Sequence, residues 1–183
     1  FRQTETQTGR ISSTEPNMQN IPVRTELGSQ MRKFFVAAEG KTLVDADYSQ
    51  IELRVMAHLC GDSNMIEAFT SGEDIHTSTA AQVFDMPPVM ITPEMRSAAK
   101  AVNFGIIYGI GAFSLSKDIG TSVAQAKKYI ADYLKKYPKV NSFMESTVSN
   151  AIKEGYVTTM FGRRRRIPEL LSSNKVLQAA GKR

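Results

Sequence analysis

The sequence has few of the residues that build disulfides, metal clusters or membrane spans. Cys60 is its one cysteine, which excludes an internal disulfide and a cysteine-rich zinc site and fits a reducing compartment. Its place in L-C-G at a predicted helix end favours a small buried residue. No apolar run approaches membrane-spanning length and no signal-peptide pattern begins the chain, so we expect no membrane partner and a cytoplasmic location.

Basic residues exceed acidic ones in a chain of ordinary hydrophobic content. The 183 residues include 23 lysines and arginines against 18 acidic residues, a formal net charge of +5. This excess suits a polyanionic partner, but many basic proteins bind no nucleic acid, so motifs carry more weight than charge. The chain starts at Phe1, and residues 174–183 have the pattern of a helix that continues. We therefore expect a piece of a longer protein.

Turn residues and apolar periodicity predict helices between two β-containing parts. Residues 1–33 are polar and interrupted by prolines, which predicts extended segments and turns. Apolar runs at 33–38 and 41–47, separated by Glu39-Gly40, predict a β-hairpin, and runs at 156–160 and 164–167 predict a second one. Helical periodicity predicts helices at 49–60, 63–71, 75–84, 93–109, 112–118, 122–136 and 139–154. The predicted class is α+β and mostly helical.

Four residues spaced four apart form the most informative pattern in the chain: Arg96, Lys100, Phe104 and Tyr108. On a helix these four residues lie at roughly 0°, 40°, 80° and 120° and form a continuous stripe, with apolar residues on the opposite face. We call these four residues the stripe. Two cations one turn apart can hold a polyphosphate, and an aromatic ring one turn further can cover a sugar or base. Solvated helix faces often have the same spacing, so the spacing alone leaves both interpretations open.

The residues around this stripe favour a nucleotide site. Residues 96–109 read R-S-A-A-K-A-V-N-F-G-I-I-Y-G, and their R-x3-K-x3-F-x3-Y-G pattern resembles the nucleotide-binding motif on the fingers of family A DNA polymerases. Residues 47–54, D-Y-S-Q-I-E-L-R, resemble the same family's first palm motif. Further segments resemble the family at T-G-R-I-S-S (8–13), N-M-Q-N-I-P-V-R (17–24), D-I-H (74–76) and F-G-R-R-R (161–165).

Asp47 is the candidate catalytic carboxylate. A carboxylate at a strand end can hold Mg²⁺ against substrate phosphates. An aspartate that only caps the next helix is the alternative, and the Y-S-Q-I-E-L-R context favours the catalytic role. The resemblance adds the backbone carbonyl of Tyr48 as a metal ligand and implies two Mg²⁺ ions in the complete enzyme. Asp45, two residues earlier, is predicted to be structural.

The resemblance implies a set of nucleotide-binding residues: Gln50, Glu52, His76, Arg96, Lys100, Phe104 and Tyr108. Lys100 is also a candidate catalytic residue, because it would neutralise charge at the α-phosphate. Glu52 would lie under the incoming sugar, paired with Tyr108, and exclude a 2′-hydroxyl. Ser49-Gln50-Ile51-Glu52 also fits a capping box, and both interpretations stay open. A lone histidine is more often a capping or surface residue, and the D-I-H match favours phosphate contact by His76.

The resemblance also implies contacts with DNA, by Arg10, Asn17, Gln19, Arg163 and Arg164. Arg10 resembles the family arginine that reaches the minor groove at the primer end, where the acceptors are shared by all base pairs, so it would check pair shape without reading sequence. In the run of arginines at 163–166, the alternation of side chains along a strand lets only one pair face DNA.

These resemblances imply a domain arrangement and a function. They imply a palm piece with the first metal-binding aspartate at 1–58, helical fingers at 59–155, and a palm-side hairpin with a truncated helix at 156–183. The implied enzyme is a DNA-directed DNA polymerase that transfers nucleotides from dNTP to a primer 3′-end. Its partners would be template-primer DNA, dNTP, and the thumb and remaining palm. The enzyme would be of bacterial or phage type and would act in the cytoplasm, at the nucleoid. Single-subunit RNA polymerases share related motifs, and the close match at 47–54 separates them.

One motif of that family does not occur in the sequence. The second palm motif is a His-Asp-Glu turn with the other metal-binding aspartate, and neither histidine here precedes Asp-Glu. Because the chemistry uses two metals bridged by both aspartates, we expect this segment alone to be inactive or nearly so. The alternative from another class is a non-catalytic nucleotide- or DNA-binding module.

Overall fold

The computed structural model describes residues 1–22 and 25–183, which divide into two compact units. The first unit is Phe1–Tyr48 and the second is Ser49–Arg183. Helices dominate the second unit, which also contains a small antiparallel sheet. The predicted class, α+β and mostly helical, is confirmed. Within the described residues no helix is long and apolar enough to cross a membrane.

Turns and short helical segments make up the described part of the first unit; the turns agree with the prediction for 1–33, whereas the helical segments from Glu26 onward replace predicted extended chain. Arg2 and Ser12 exchange two backbone hydrogen bonds in an isolated antiparallel bridge. The buried hydroxyl of Ser13 holds the following turn, because it donates to a backbone carbonyl and accepts from a backbone N–H. Helix α1, Glu26–Gln30, and a 3₁₀ turn, Met31–Phe34, follow.

The hairpin predicted for 33–47 is wrong except for its turn. The Lys41 N–H donates to the Ala38 carbonyl at 2.9 Å around Gly40, whose φ is 68°. The flanking runs form no strand, and apolar side chains such as Val36 and Val44 are exposed. A strand requires a hydrogen-bonded neighbour, and the described residues supply none for these runs. An apolar pattern alone therefore does not establish pairing.

The helices of the second unit follow the predicted order, with ends that agree within two residues. Their apolar periodicity is strong enough to fix both their number and their order along the chain. A 3₁₀ turn, Pro88–Met90, separates the fourth helix from the fifth. The helices are α2 Ile51–Cys60, α3 Ser63–Thr70, α4 Ile75–Phe84, α5 Pro93–Ile107, α6 Ala112–Asp118, α7 Val123–Lys136 and α8 Pro138–Glu154.

Side-chain caps fix the starts of several helices. The hydroxyl of Thr92 caps α5, with Pro93 in the first turn, and the hydroxyl of Ser122 caps α7, both as predicted. The buried carboxylate of Asp62 caps α3 and also accepts from the backbone N–H of Lys139 at 3.0 Å. This second bond fastens the start of α3 to the start of α8.

Helix α5 is anchored by its apolar face in a core that α2 to α8 share. Val102 and Ile106 of α5 are buried in this core, together with Leu53 of α2 and Leu115 of α6. The helix packs against α2, α4, α6 and α7. Burial of each such aliphatic side chain stabilises by about 1.5–3 kcal/mol, so the buried face fixes the position of α5 while its other side stays accessible.

The second predicted hairpin is present, with shorter strands than predicted. Strand β1, Tyr156–Thr158, pairs antiparallel with β2, Arg164–Arg166. A 3₁₀ turn, Pro168–Leu171, and helix α9, Lys175–Lys182, complete the described chain. A small apolar cluster holds this end against α8, and its buried residues are Ala151, Ile167 and Leu170.

Cys60, at the end of α2, is half-buried where the sequence predicts a buried residue. It packs against the shared core, and its Sγ lies 3.8 Å from the Ala57 carbonyl. Burial has the largest effect on the thiol and raises its pKa. The group therefore stays protonated near neutral pH and packs as a small apolar side chain.

Candidate nucleotide-binding site

The predicted stripe lies along one accessible side of α5. Lys100 is exposed, and Arg96 and Phe104 are half-buried. Tyr108 is the C-cap of α5, one residue beyond the last helical residue, and 47% of its surface is exposed. A cavity of about 830 Å³ between α4 and α7 contains none of these residues. The stripe is therefore an open helix face rather than the lining of that cavity.

Aromatic contacts connect the members of the stripe. The rings of Phe104 and Tyr108 stack, with centroids 6.4 Å apart and an interplanar angle of 18°. The Phe104 ring also lies 5.8 Å from the ring of His76, which belongs to α4. The Lys100 ammonium is 5.9 Å from the Phe104 centroid, near the outer limit of a cation–π contact. These contacts place a cation and two π faces side by side.

Arg96 is held by Asp74, a residue that sequence analysis did not select. Its Nε donates to Asp74 Oδ2 at 2.7 Å. The other oxygen of Asp74 accepts from the backbone N–H groups of His76 and Thr77, so the same carboxylate caps α4. The bond to Arg96 uses Nε, which leaves the two terminal guanidinium nitrogens unengaged by Asp74. A helix-cap aspartate inside the D-I-H segment was the signal for this role.

The Asp74–Arg96 pair fixes geometry more than it stabilises the fold. Burial alone would raise the pKa of Asp74, but the hydrogen bond from Arg96 and the two backbone hydrogen bonds outweigh it and lower the pKa. The side chains of Arg96 and Asp74 are 42% and 38% exposed. Solvent screening at such exposure limits the contribution of an ion pair to about 0–1 kcal/mol. Its main consequence is the orientation of the guanidinium.

His76 is buried, and its surroundings keep it neutral. Only 1% of its surface is exposed. Burial, followed by the positive charges of Arg96 and Lys100, outweighs the attraction of Asp74 and lowers the pKa of His76 to about 4. Its Nε2 is shielded from solvent and has no hydrogen-bond partner among the described residues. A phosphate therefore reaches this atom only if the groups that cover it move.

A buried amide holds the other ring nitrogen of His76. Asn103 Nδ2 lies 2.9 Å from His76 Nδ1, and Asn103 Oδ1 accepts from the Thr79 hydroxyl at 3.0 Å. None of the three residues is more than 3% exposed. Sequence analysis did not select Asn103, although a polar residue beside Val102 on a predicted core face was the signal for it.

Glu52 contacts the far end of the stripe. The Tyr108 hydroxyl donates to Glu52 Oε1 at 3.5 Å, the long limit for a hydrogen bond. The capping-box interpretation is wrong, because it requires Ser49 at the N-cap. Helix α2 instead begins at Ile51, its N-cap is Gln50 in the left-handed conformation with φ 55°, and no side chain caps it. The pairing of Glu52 with Tyr108 is the one that the resemblance implies.

The assembled groups suit an anion joined to a sugar and base. Arg96 and Lys100 donate hydrogen bonds and carry fixed positive charge, which attracts phosphate oxygens. Phe104 follows with an apolar face and no hydrogen-bonding atom. The Glu52–Tyr108 pair closes that end with a carboxylate and a hydroxyl. Three helices, α2, α4 and α5, thus place the predicted residues Glu52, His76, Arg96, Lys100, Phe104 and Tyr108 beside one another.

The predicted metal ligands belong to the first unit, whereas the stripe belongs to the second. Asp47 is exposed in an irregular segment, and Tyr48 is 79% exposed. Asp45 is also exposed. Among the described residues, no three His, Cys, Asp or Glu side chains come together in a way that could hold a metal ion. Asp47 and the Tyr48 carbonyl remain a predicted ligand pair.

Three of the predicted DNA contacts lie in the N-terminal turns of the first unit. Arg10, Asn17 and Gln19 are exposed. The Gln19 side-chain amide donates to the Ile11 carbonyl at 2.6 Å, and Asn17 Oδ1 accepts from the Gln19 N–H at 3.0 Å. The first of these bonds joins two of the segments that resemble the family, 8–13 and 17–24. The last two residues of the second segment, 23 and 24, lie outside the described residues.

The other predicted DNA contacts, Arg163 and Arg164, lie in the hairpin of the second unit. Both are exposed, and the guanidinium of Arg164 lies 4.8 Å from the ring centroid of Tyr156. Arg164 and Arg166 are exposed, whereas Arg165 between them is half-buried. Side chains therefore alternate within β2, at 164–166, whereas Arg163 precedes the strand and is exposed like Arg164 rather than half-buried like Arg165.

Comparison with known proteins gives similarity over the whole chain. The family model described as DNA polymerase family A matches residues 1–183. The thermostable DNA polymerase I of Thermus filiformis is 51% identical over 183 residues, which are 100% of this chain and 22% of that protein. DNA polymerase I of Bacillus subtilis is 52% identical over 175 residues, 95% of this chain and 20% of that protein. The chain thus spans only about a fifth of these relatives.

A solved structure is similar in fold as well as in sequence. The POL domain of Pol1 from M. smegmatis, in complex with DNA primer-template and dNTP, matches with a TM-score of 0.89 and 44% identity. The match covers 100% of this chain and 32% of that one. The similarity therefore includes both units of the chain.

Proposed function

Because the chain belongs to DNA polymerase family A, we propose that it forms the fingers and adjoining palm of an enzyme that adds deoxynucleotides to a primer. The reaction is attack of the primer 3′-hydroxyl on the α-phosphate of a dNTP, with release of pyrophosphate. The chain spans about a fifth of its relatives, so the activity belongs to the whole protein. We assign 1–58 and 156–183 to the palm and 59–155 to the fingers.

The observation that carries this proposal is the convergence of three helices on the stripe. Helix α5 supplies Arg96 and Lys100, α4 supplies His76, and α2 supplies Glu52, which meets the Tyr108 hydroxyl. A solvated helix face does not require partners from two other helices. The arrangement supports a site that binds the triphosphate at one end and the sugar at the other.

Each residue of the stripe has a distinct role in this proposal. Arg96 binds the distal phosphates, and Lys100 neutralises the charge that develops at the α-phosphate during transfer. Phe104 covers the sugar. Glu52, held by Tyr108, fills the space that a 2′-hydroxyl would occupy and so favours deoxynucleotides. Gln50, at the start of α2, completes the proposed nucleotide-binding set.

The family implies divalent metal ions, and we propose Mg²⁺ for this enzyme. The Asp47 carboxylate and the Tyr48 carbonyl fit, because they offer the oxygen ligands that Mg²⁺ prefers. Two oxygens are too few for a complete site, so the remaining ligands would be phosphates, water and residues outside 1–183. When bound, the metal supplies charge neutralisation at the phosphates.

The remaining proposed contacts are with DNA. Arg10, Asn17 and Gln19 would face the primer end, and Arg163 and Arg164 would bind phosphates along the template-primer. The exposure of all five residues supports these contacts. We also propose that the protein acts at the nucleoid in the cytoplasm, in keeping with the DNA polymerase I names of its bacterial relatives.

A non-catalytic nucleotide- or DNA-binding module is the second candidate, because no His-Asp-Glu sequence occurs within residues 1–183. To separate the two candidates, the reading frame is followed beyond Arg183 and the encoded protein is tested by primer extension. We expect a His-Asp-Glu motif downstream and incorporation of dNTP with pyrophosphate release. A stop codon, with nucleotide binding but no incorporation, would contradict the proposal and favour the binding module.

A matched pair of lysine variants links the activity to the stripe. Lys100→Ala removes a proposed catalytic cation, whereas Lys127→Ala removes an exposed cation from α7. We expect Lys100→Ala to lose most of the activity and Lys127→Ala to retain it. Equal activity of the two variants would contradict the proposed role of the stripe.

A further inference from the structure

Three buried polar side chains behind the stripe form a hydrogen-bonded chain. Thr79 and His76 belong to α4, and Asn103 belongs to the buried side of α5. The buried core to which α5 contributes is otherwise apolar and includes Val102 and Ile106 of the same helix. Polar groups are unfavourable in such surroundings unless they are hydrogen-bonded, and apolar residues would fill the same space more simply. These hydrogen-bonded side chains therefore indicate a role other than packing.

The direction of the two hydrogen bonds among Thr79, Asn103 and His76 determines which ring nitrogen of His76 carries the proton. The Thr79 hydroxyl donates to Asn103 Oδ1, so the amide nitrogen of Asn103 faces the ring and donates to His76 Nδ1. A ring nitrogen that accepts a hydrogen bond carries no proton. The neutral ring then has its proton on Nε2. A reversed Asn103 amide would give the opposite tautomer, so this assignment can be tested directly.

We propose that Asn103, oriented by Thr79, is a positioning residue that fixes His76 as a neutral Nε2–H donor for a phosphate oxygen of the nucleotide. The inference rests on the proposed function, because the phosphate contact of His76 belongs to it. The Nε2–H group is buried without a protein acceptor among the described residues. A buried unpaired donor is unfavourable, so an incoming phosphate oxygen would satisfy it once the groups that cover it move.

A neutral donor suits this position because positive charge is already present. Arg96 and Lys100 of α5 disfavour a charged ring, and Asp74 at the start of α4 favours one. Burial and the two cations prevail, so the ring stays uncharged near neutral pH. The tautomer, rather than the charge, then decides whether Nε2 donates or accepts. Nδ1–H imidazole would present a lone pair to the phosphate and repel it.

The first test determines the tautomer in the nucleotide-free complete protein. Histidine is labelled with ¹⁵N, and the signals of His76 are identified by their loss in His76→Gln. At pH 7 we expect a protonated Nε2 and an unprotonated Nδ1, and a mixture of tautomers in Thr79→Val. A protonated Nδ1, or a mixture in the unchanged protein, would overturn the inference.

The second test asks whether Thr79 acts through His76. In single-turnover incorporation, Thr79→Val should lower kcat/KM for dNTP by about 3- to 10-fold through a higher KM, as expected for loss of one neutral hydrogen bond. The same substitution should have almost no effect in a His76→Gln background. An equal decrease in both backgrounds would indicate a merely structural role and overturn the inference. Thr79→Ser, which keeps the hydroxyl, should restore normal values.

Controls separate this inference from the function on which it rests. Ser116→Ala removes another buried hydroxyl, on α6, that donates to the Phe113 carbonyl, and kcat/KM should be unchanged. If His76→Gln itself leaves kcat/KM unchanged, the phosphate contact and this inference both fail, although the protein still polymerises. Failure of the proposed function appears differently, as absence of dNTP incorporation by the unchanged complete protein.

Discussion

Asp74 performs two tasks with one carboxylate, and Asp74→Asn separates them. Oδ1 caps α4, and asparagine caps helices about as well as aspartate, so the cap is retained. Oδ2 accepts from Arg96 Nε, and the amide nitrogen of asparagine cannot accept there. The variant therefore releases the Arg96 guanidinium without disturbing the start of α4. Asp74→Ala removes both interactions.

The ion pair and the helix cap of Asp74 should contribute different amounts to the free energy of unfolding. The ion pair is more than a third exposed on both sides, so Asp74→Asn should lower the free energy of unfolding by less than about 1 kcal/mol. Asp74→Ala should lower it by about 1 kcal/mol more, because the cap is lost. For the nucleotide, a contact from a freely rotating Arg96 is weaker than one from a fixed guanidinium. We expect both variants to raise KM for dNTP about 3- to 10-fold with kcat nearly unchanged.

The assay combines denaturant unfolding with single-turnover incorporation over a range of dNTP concentrations. Ser122→Ala is the matched control, since it removes the cap of α7 and no ion pair, and it should lose about 1 kcal/mol of stability without a change in KM. In an Arg96→Ala background, Asp74→Asn should have no further effect on KM. An unchanged KM in Asp74→Asn, or the same rise without Arg96, would refute the positioning role.

Further predictions concern the stripe and its neighbours. Lys100→Ala should lower kcat and raise KM, with a loss of roughly 30- to 1,000-fold in kcat/KM by single-turnover kinetics. Glu52→Ala should raise ribonucleotide incorporation about tenfold relative to deoxynucleotide, and lower the free energy of unfolding by no more than about 1 kcal/mol, as expected for loss of a carboxylate from the first turn of α2. Phe104→Tyr should largely abolish discrimination against dideoxynucleotides in a chain-termination assay, since the added hydroxyl could replace the missing 3′-hydroxyl; an unchanged termination frequency would place the ring away from the sugar. His76 is predicted to have a pKa of about 4 in the folded protein, below its unfolded value of about 6.5, so the unfolded state binds more protons between these values. The free energy of unfolding should fall as pH is lowered through this window, by up to roughly 3 kcal/mol relative to His76→Gln in urea titrations, and parallel curves for the two proteins would contradict this.

Local patterns explain why so much of the second unit follows from the sequence. Helical periodicity and caps are short-range properties, so the order of α2 to α8 and the caps at Thr92 and Ser122 were predictable. The spacing of the stripe fixes one face of α5 for the same reason. Motifs such as those at 47–54 and 96–109 indicated the family, which the match over residues 1–183 confirms.

Interactions between distant segments were decided only by the tertiary structure. The strands predicted at 33–47 lack a partner among the described residues, because pairing depends on a neighbour that periodicity cannot specify. The ion pair between Asp74 and Arg96 and the hydrogen bond between Asn103 and His76 each join α4 to α5 across more than twenty residues. No local rule relates such positions.

Glu52 shows in a single residue the difference between what the sequence predicts and what the tertiary structure decides. From the sequence alone it fitted both a capping box and a sugar contact, since each needs only a carboxylate at that position. The left-handed backbone at Gln50 removes the capping box, and the fold brings the Tyr108 hydroxyl to within 3.5 Å of the carboxylate. The sequence determined which groups were available, and the packing of α2 against α5 determined which of them meet.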